Sequence, residues 1–345
     1  MQAPFEFGGQ TVAPGEKLTI DLPIGSFSNH MPAVMPVRVL HGRKPGPVIF
    51  VSAAVHGDEV IGVEIIRRLL NTSAIWRLKG TLICVPVVNT FGFISGQRYL
   101  PDRRDLNRSF PGNVNGSLAG QLAHLFTTEI VMRSDFGIDI HSAALHRVNL
   151  PQIRFSSDNP ETIESAKIFG APIVMDAPLR EGSLRQVAKQ HGTDVLLYEA
   201  GEALRFDEFA IRVGLKGILN ILKYKGMITG RLINSAKRPS VFVQGSRWVR
   251  SPVGGVFRTH TTIGARVNKG DILGYVSDPF GDEDREIEAI INGIVIGRTH
   301  LPFVNPGDAL FHIGHVQELK SAARNMEAIE KDIEFDPLFD EDEII

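Results

Sequence analysis

Two histidines and two glutamates in this chain are spaced as metal-assisted hydrolysis would require. His56 and Glu59 stand three residues apart in His56-Gly-Asp-Glu59, directly after the apolar run Pro47–Ala54. Residues three apart in a turn that opens a helix project on the same side. Zinc accepts imidazole nitrogen and carboxylate oxygen at about 2.0–2.2 Å, so the pair can supply two ligands. Many surface pairs share this spacing, and the pair gains meaning only with further ligands. His141 offers a third, closing the run Phe136-Gly-Ile-Asp-Ile-His141 before the small residues Ser142-Ala-Ala144. Asp139, two residues earlier on the same strand face, can accept a hydrogen bond from an imidazole. His56, Glu59 and His141 would hold one Zn2+ per chain and leave a fourth tetrahedral position for water, the catalytic pattern. Glu199 follows the run Asp194–Tyr198, with small Ala200 and Gly201 beside it. It is placed to take a proton from that water. Alone, Glu199 would read as a helix cap or an ion-pair partner. All four groups, however, fall at the carboxyl ends of predicted strands, where open α/β sheets place their ligands.

Between these residues runs Gly96-Gln-Arg98-Tyr-Leu-Pro-Asp-Arg-Arg-Asp105-Leu-Asn107-Arg108-Ser-Phe-Pro-Gly112, a polar loop with four arginines and no periodicity. A guanidinium fork matches a carboxylate or a developing oxyanion, so such a loop suits the wall of a site. The same composition also suits a solvated surface loop.

Positioning these groups requires a sheet. Val34–Leu40, Pro47–Ala54, Thr81–Val88, Phe136–Ile140, Val148–Phe155, Pro172–Met175 and Asp194–Tyr198 read as strands. Asp58–Leu70 reads as a helix, as do residues 160–169, 183–191 and 207–224. Ser117 can cap another helix, with Leu118, Leu122, Leu125, Phe126 and Ile130 on one face. Strands alternating with helices predict an α/β fold, a mixed sheet flanked by helices over residues 1–233. Residues 240–316 change character to short β-like runs between glycine-bearing turns, among them Pro252-Val-Gly-Gly255, Asn268-Lys-Gly-Asp271 and Asn305-Pro-Gly-Asp308. They predict a small all-β barrel or sandwich in a second domain, 234–316. Leu319, Ala322, Met326 and Ile329 give a short amphipathic helix, and residues 317–345 end in an acidic tail.

At 345 residues the chain exceeds one ordinary core. With 43% hydrophobic and 22% charged residues it is neither disordered nor fibrous. A net charge of −2 argues against a polybasic nucleic-acid binder. That total hides an asymmetry: nine acids and one base put −8 on residues 327–345, which leaves +6 on the body. A mildly basic body suits a small anionic substrate. The single Cys84 excludes an internal disulfide framework and lies in an apolar run, where a buried structural thiol is expected. No basic segment followed by an apolar stretch opens the chain, and no long apolar run could span a membrane. A cytoplasmic protein with no nucleic-acid or membrane partner is expected; a homo-oligomer is compatible with the chain.

His56-Gly-Asp-Glu59, Asp105-Leu-Asn-Arg108, Asp139-Ile-His141 and Glu199, in that order, resemble the succinylglutamate desuccinylase/aspartoacylase family, relatives of the zinc carboxypeptidases. The resemblance covers about residues 30–225 and implies a zinc-carboxypeptidase-like fold. It implies zinc on His56, Glu59 and His141, and Glu199 as general base. By the same likeness Asp105 orients the first zinc histidine, Asn107 and Arg108 grip the substrate carboxylate, and Arg98 polarises the scissile carbonyl. The arginine that holds a second carboxylate has three candidates of equal merit, Arg154, Arg180 and Arg185. The activity implied is hydrolysis of the amide of a small anionic N-acyl amino acid or peptide-like substrate. A carboxypeptidase acting on a small peptide or peptidoglycan fragment is the alternative within enzymes. Val267–Leu273 and Ile287–Val295 resemble biotinyl/lipoyl carrier barrels, which raises a carrier-like or metal-binding scaffold as the non-enzyme alternative. The corresponding hairpin, Ala289-Ile-Ile-Asn292, lacks the lysine that a carrier modifies.

Overall fold

The computed structural model describes residues 2–156, 159–233 and 240–316. The helix expected over Leu319–Ile329 and the acidic tail lie outside the described residues. In chain order the first part comprises β1 (Phe5–Phe7), β2 (Gln10–Val12), β3 (Lys17–Ser26), β4 (Pro32–His41), β5 (Val48–Ala53), α1 (Ile61–Asn71), β6 (Thr81–Val85), α2 (Thr90–Ser95) and α3 (Leu118–Glu129). Then come β7 (Phe136–Ala143), β8 (Arg147–Phe155), α4 (Pro160–Phe169), β9 (Ile173–Asp176), α5 (Leu184–Gln190), β10 (Asp194–Glu202) and α6 (Glu208–Tyr224).

The helices start where the sequence supplies a cap. Ser117, Asn159, Ser183 and Asp207 each accept a backbone N–H of the first turn of α3, α4, α5 and α6. Pro160 opens α4 and left-handed Gly170 closes it. α1 is the exception: it begins at Ile61, not at Asp58, and Val60 makes no side-chain cap. The backbone N–H groups of Glu59 and Val60 instead close tight turns onto His56 and Asp58. β6 stops at Val85, short of the expected Val88, because Pro86 cannot donate to a ladder. β3 lies upstream of the expected strands, although Leu18, Ile20, Leu22 and Ile24 alternate along it.

The central sheet is mixed. β6, β5, β7 and β10 run parallel side by side, while β4 pairs antiparallel with β6, and β8 with β10. Both faces are covered. One packs Val51, Ile138, Ile140, Leu196 and Tyr198 against α1, α4 and α6. The other packs Phe50, Ile83 and Val195 against α3 and α5. Cys84 is buried in this sheet, and burial pushes its thiol up to about 12. Among the described residues no helix is long and apolar enough to cross a membrane.

Residues 240–316 fold as strands joined by turns: β11 (Val241–Val243), β12 (Ser246–Arg250), β13 (Gly255–Thr259), β14 (Arg266–Val267), β15 (Ile272–Ser277), β16 (Asp284–Glu288), β17 (Gly293–Thr299), β18 (Phe303–Val304) and β19 (Ala309–Gly314). Four of them, β16-β15-β13-β18, form their own sheet. The others extend the central one: β17 pairs antiparallel with β8, β19 with β17, β12 with β19, and β11 joins β9 in parallel. The two parts of the chain therefore share a continuous hydrogen-bonded sheet.

Phe126 on α3 ties this core to the arginine loop. Fully buried, it packs edge-on against Phe50 of β5 (ring centroids 5.8 Å) and Phe110 (6.1 Å). Phe126→Ala is expected to lower stability by about 3–5 kcal/mol, the usual cost of an aromatic-sized hole. The denaturant midpoint measures it; a shift worth under about 1 kcal/mol would mean that the site repacks.

Candidate metal centre and active site

The period of two in a strand puts Phe50 and Ser52 of β5 and Asp139 and His141 of β7 on one face of the sheet. Ser52 and Asp139 are register partners, and Ser52 Oγ donates to Asp139 Oδ1 at 2.8 Å. Asp139 is fully buried, and its other oxygen lies 2.7 Å from His141 Nε2. The same arrangement recurs at the second histidine: His56 Nε2 lies 3.0 Å from Asp105 Oδ1. Asp105 also accepts the Asn107 N–H, so the Asp105-Leu-Asn-Arg108 turn holds its own carboxylate in place. Each imidazole thus sets Nε2 against a carboxylate and turns Nδ1 toward Glu59; at His56, Arg98 Nη2 also lies 3.0 Å from Nε2.

Glu59 sits between them, 2% exposed. His56 Nδ1 is 2.8 Å from Oε1, and His141 Nδ1 is 2.7 Å from Oε2, which also accepts the Ser142 N–H. The donor atoms of His56, Glu59 and His141 all lie within 4.8 Å of one another. His56 Nδ1, so close to Glu59 Oε1, is buried and makes no hydrogen bond. A ring nitrogen and a carboxylate oxygen 2.8 Å apart attract only with a proton or a metal cation between them. The electrostatics agree. Burial disfavours the charged form of His141, but Asp139 and Glu59 outweigh it and hold its pKa well above the ordinary value. His56 is likewise raised, against its burial, by Glu59 and Asp105. Burial alone would raise the Glu59 carboxyl, and the two histidines hold it well below the usual range. A pocket that favours positive charge around one ionised carboxylate, with two imidazole nitrogens turned to it, fits a divalent metal with mixed nitrogen and oxygen preference. Gly57 lets the His56-to-Glu59 turn approach α2: a Cβ there would lie 2.0 Å from the Gly92 carbonyl carbon.

Glu199 lies inside β10, not at its end, and pairs in register with His141 of β7. Its carboxylate is gripped from both sides: Asn149 Nδ2 donates to Oε1 at 2.7 Å, and Arg154 Nη1 meets Oε2 at 2.8 Å. Asn149 is absent from the residues the sequence singled out; its only signal there is an amide between the apolar Val148 and Leu150. Arg185 is buried nearby, its pKa lowered to about 10 by burial and by the like charge of Arg154, partly offset by Glu199 and Asp139. Arg180 is exposed. The three arginines are thus not equivalent, and Arg154 and Arg185 are the two closest to the site's charges.

Two residues differ from their expected attitude. Arg98 Nη1 donates to Glu59 Oε1 at 2.7 Å, and Nη2 lies 3.0 Å from His56 Nε2 and 3.8 Å from Asp105 Oδ2. The guanidinium therefore borders the donor set, bound to a ligand carboxylate that pulls it inward. Asn107 is buried, and its side-chain oxygen accepts the Leu184 N–H at the start of α5. Its carbonyl thus fastens the loop to the helix, and Arg108 beside it stays exposed with Nη1 on the Asn107 carbonyl.

Comparison with known proteins bears directly on this site. Residues 45–225, more than half of the chain, match the succinylglutamate desuccinylase/aspartoacylase catalytic domain. The chain is 29% identical over 316 residues to N-alpha-acetyl-L-2,4-diaminobutyric acid deacetylase of Halomonas elongata, covering 87% of this chain and 91% of the relative. It resembles the crystal structure of a succinylglutamate desuccinylase/aspartoacylase from Rhodobacter sphaeroides, with a TM-score of 0.78 and 25% identity over 87% of this chain and 96% of that one. The product-bound ectoine utilization protein EutE (DoeB) from Ruegeria pomeroyi is equally similar, with a TM-score of 0.78 and 25% identity over 86% and 95% of the two chains. With its family-specific motifs folded into one buried cluster, this chain belongs to the succinylglutamate desuccinylase/aspartoacylase family.

Proposed function

We propose that this chain is a zinc-dependent hydrolase that cleaves the amide of a small anionic N-acyl amino acid. The observation that carries the reading is the three-donor cluster with each histidine braced by its own carboxylate, one register step from Glu199. The names of the relatives, a deacetylase of an acetylated amino acid and desuccinylases, support the same class. His56, Glu59 and His141 would hold the zinc, which supplies Lewis-acid chemistry when bound.

The chain's own residues account for the remaining steps. Glu199 accepts the proton of the attacking water and passes it to the leaving amine. Arg98, already at the edge of the donor set, presents its guanidinium to the oxygen on which negative charge develops, an interaction commonly worth a few kcal/mol. Arg108, exposed beside the buried Asn107, meets the substrate carboxylate and holds the amide in line. Arg154 and Arg185 add positive charge behind Glu199 and favour an anionic ligand.

Zinc-loaded protein incubated with N-acetyl, N-succinyl and dipeptide substrates tests this reading through amine release. N-acyl amino acids with a free carboxylate should turn over at least about tenfold better than their methyl esters, the scale of one charged hydrogen bond left unmade. Equal rates on acid and ester would remove the carboxylate clamp from the reading.

Glu199→Gln keeps the shape and cannot accept a proton. Turnover should fall by at least about a hundredfold with zinc content unchanged. Near-native turnover in that variant would put the base elsewhere.

A further inference from the structure

The C-terminal strands reach the base through a row of residues that runs across four strands. Asn149 on β8 is paired with Gly201 of β10 on one side and with Gly297 of β17 on the other. Gly297 in turn pairs with His312 of β19. The only amide in this row thus has glycine on both neighbouring strands, and it donates to Glu199 Oε1. Arg154 alone would leave the carboxylate free to swivel about one ion pair. A second donor on the other oxygen fixes its plane. Asn149 is 7% exposed, so its direction is set by protein atoms.

The packing of Gly297 explains why Asn149 can point that way. A Cβ added at 297 would lie 2.6 Å from Asn149 Oδ1 and 3.4 Å from His312 Cβ. The amide thus occupies space that a side chain at 297 would fill. Behind it His312 is pinned: its ring stacks flat on Trp248, with centroids 4.4 Å apart, and Nε2 lies 2.7 Å from Ser246 Oγ. The β unit therefore supplies a rigid back wall for the amide.

We propose that Asn149 is a positioning residue that fixes the orientation of Glu199, and that the C-terminal strands enforce it through the side-chain-free Gly297. The inference rests on Glu199 being the base. It gives the β unit a part in turnover without any contact between that unit and the substrate.

Steady-state kinetics on the best substrate of the panel test it, with zinc content and melting temperature measured for every variant. Asn149→Ala should lower kcat about tenfold with KM within about twofold, the pattern of an interaction made in the transition state. Asn149→Asp keeps the shape but faces Glu199 with a second carboxylate, and should fall further than the alanine variant. Gly297→Ala, whose methyl meets the movable end of the amide, should fold and lose part of the same kcat. The double variant Asn149→Ala/Gly297→Ala should be no slower than Asn149→Ala alone. Wild-type kcat in Asn149→Asp, or two losses that multiply in full, would overturn the proposal. A Glu199→Gln protein that still turns over would instead overturn the assignment of the base. An inactive Glu199→Gln beside an unaffected Asn149→Ala overturns the positioning role alone.

Discussion

The structure around the site depends on one buried carboxylate. Glu59 is almost fully enclosed, with both oxygens against imidazole nitrogens. A carboxylate out of water must be compensated, and removing one partner of such a buried pair typically costs about 3–5 kcal/mol. Here compensation comes from two histidines whose far nitrogens rest on Asp105 and Asp139. Five charged or chargeable groups therefore hold one another in a chain of alternating sign. The central sheet keeps the two ends of that chain together: β5 leads into the His56 turn, β7 carries Asp139 and His141, and Ser52 links the strands beneath them.

At His56, Glu59, His141 and Asp105 burial and charge act in opposite directions, and charge wins. That outcome separates the cluster from an ordinary surface ion pair, which contributes little. Glu199 lies beside the cluster but is held differently, by an amide and a guanidinium rooted in β8. The His56–Glu59–His141 cluster is thus fixed from the parallel core of the sheet, while Glu199 is fixed from its antiparallel extension. Of the C-terminal strands, β17, β19 and β12 belong to that extension, which joins their packing to the orientation of Glu199.

Much of this was legible in the residues. Alternation along Phe136–His141 already put Asp139 and His141 on one face, and the cap at Ser117 marked a helix start that the structure has. Local rules failed where tertiary contacts override them. The helix expected from Asp58 starts three residues later because the Asp58–Glu59 backbone turns to deliver side chains to the site. Asn107 could not be seen as a helix anchor, since its partner Leu184 is distant in sequence. Pairing of β17 with β8 joins segments that carry no shared local signal, and so Asn149 and Gly297 went unmarked. Nor could spacing rank Arg154 and Arg185 above Arg180, because burial beside Glu199 is what distinguishes them.

The most direct measurement of the central claim is anomalous scattering from zinc-soaked crystals, recorded on both sides of the zinc absorption edge. One peak per chain is expected, about 2.0–2.2 Å from His56 Nδ1, a Glu59 oxygen and His141 Nδ1, with both Nε2 atoms still on their aspartates. A peak bound through the Nε2 atoms, or one located away from these three residues, would contradict it.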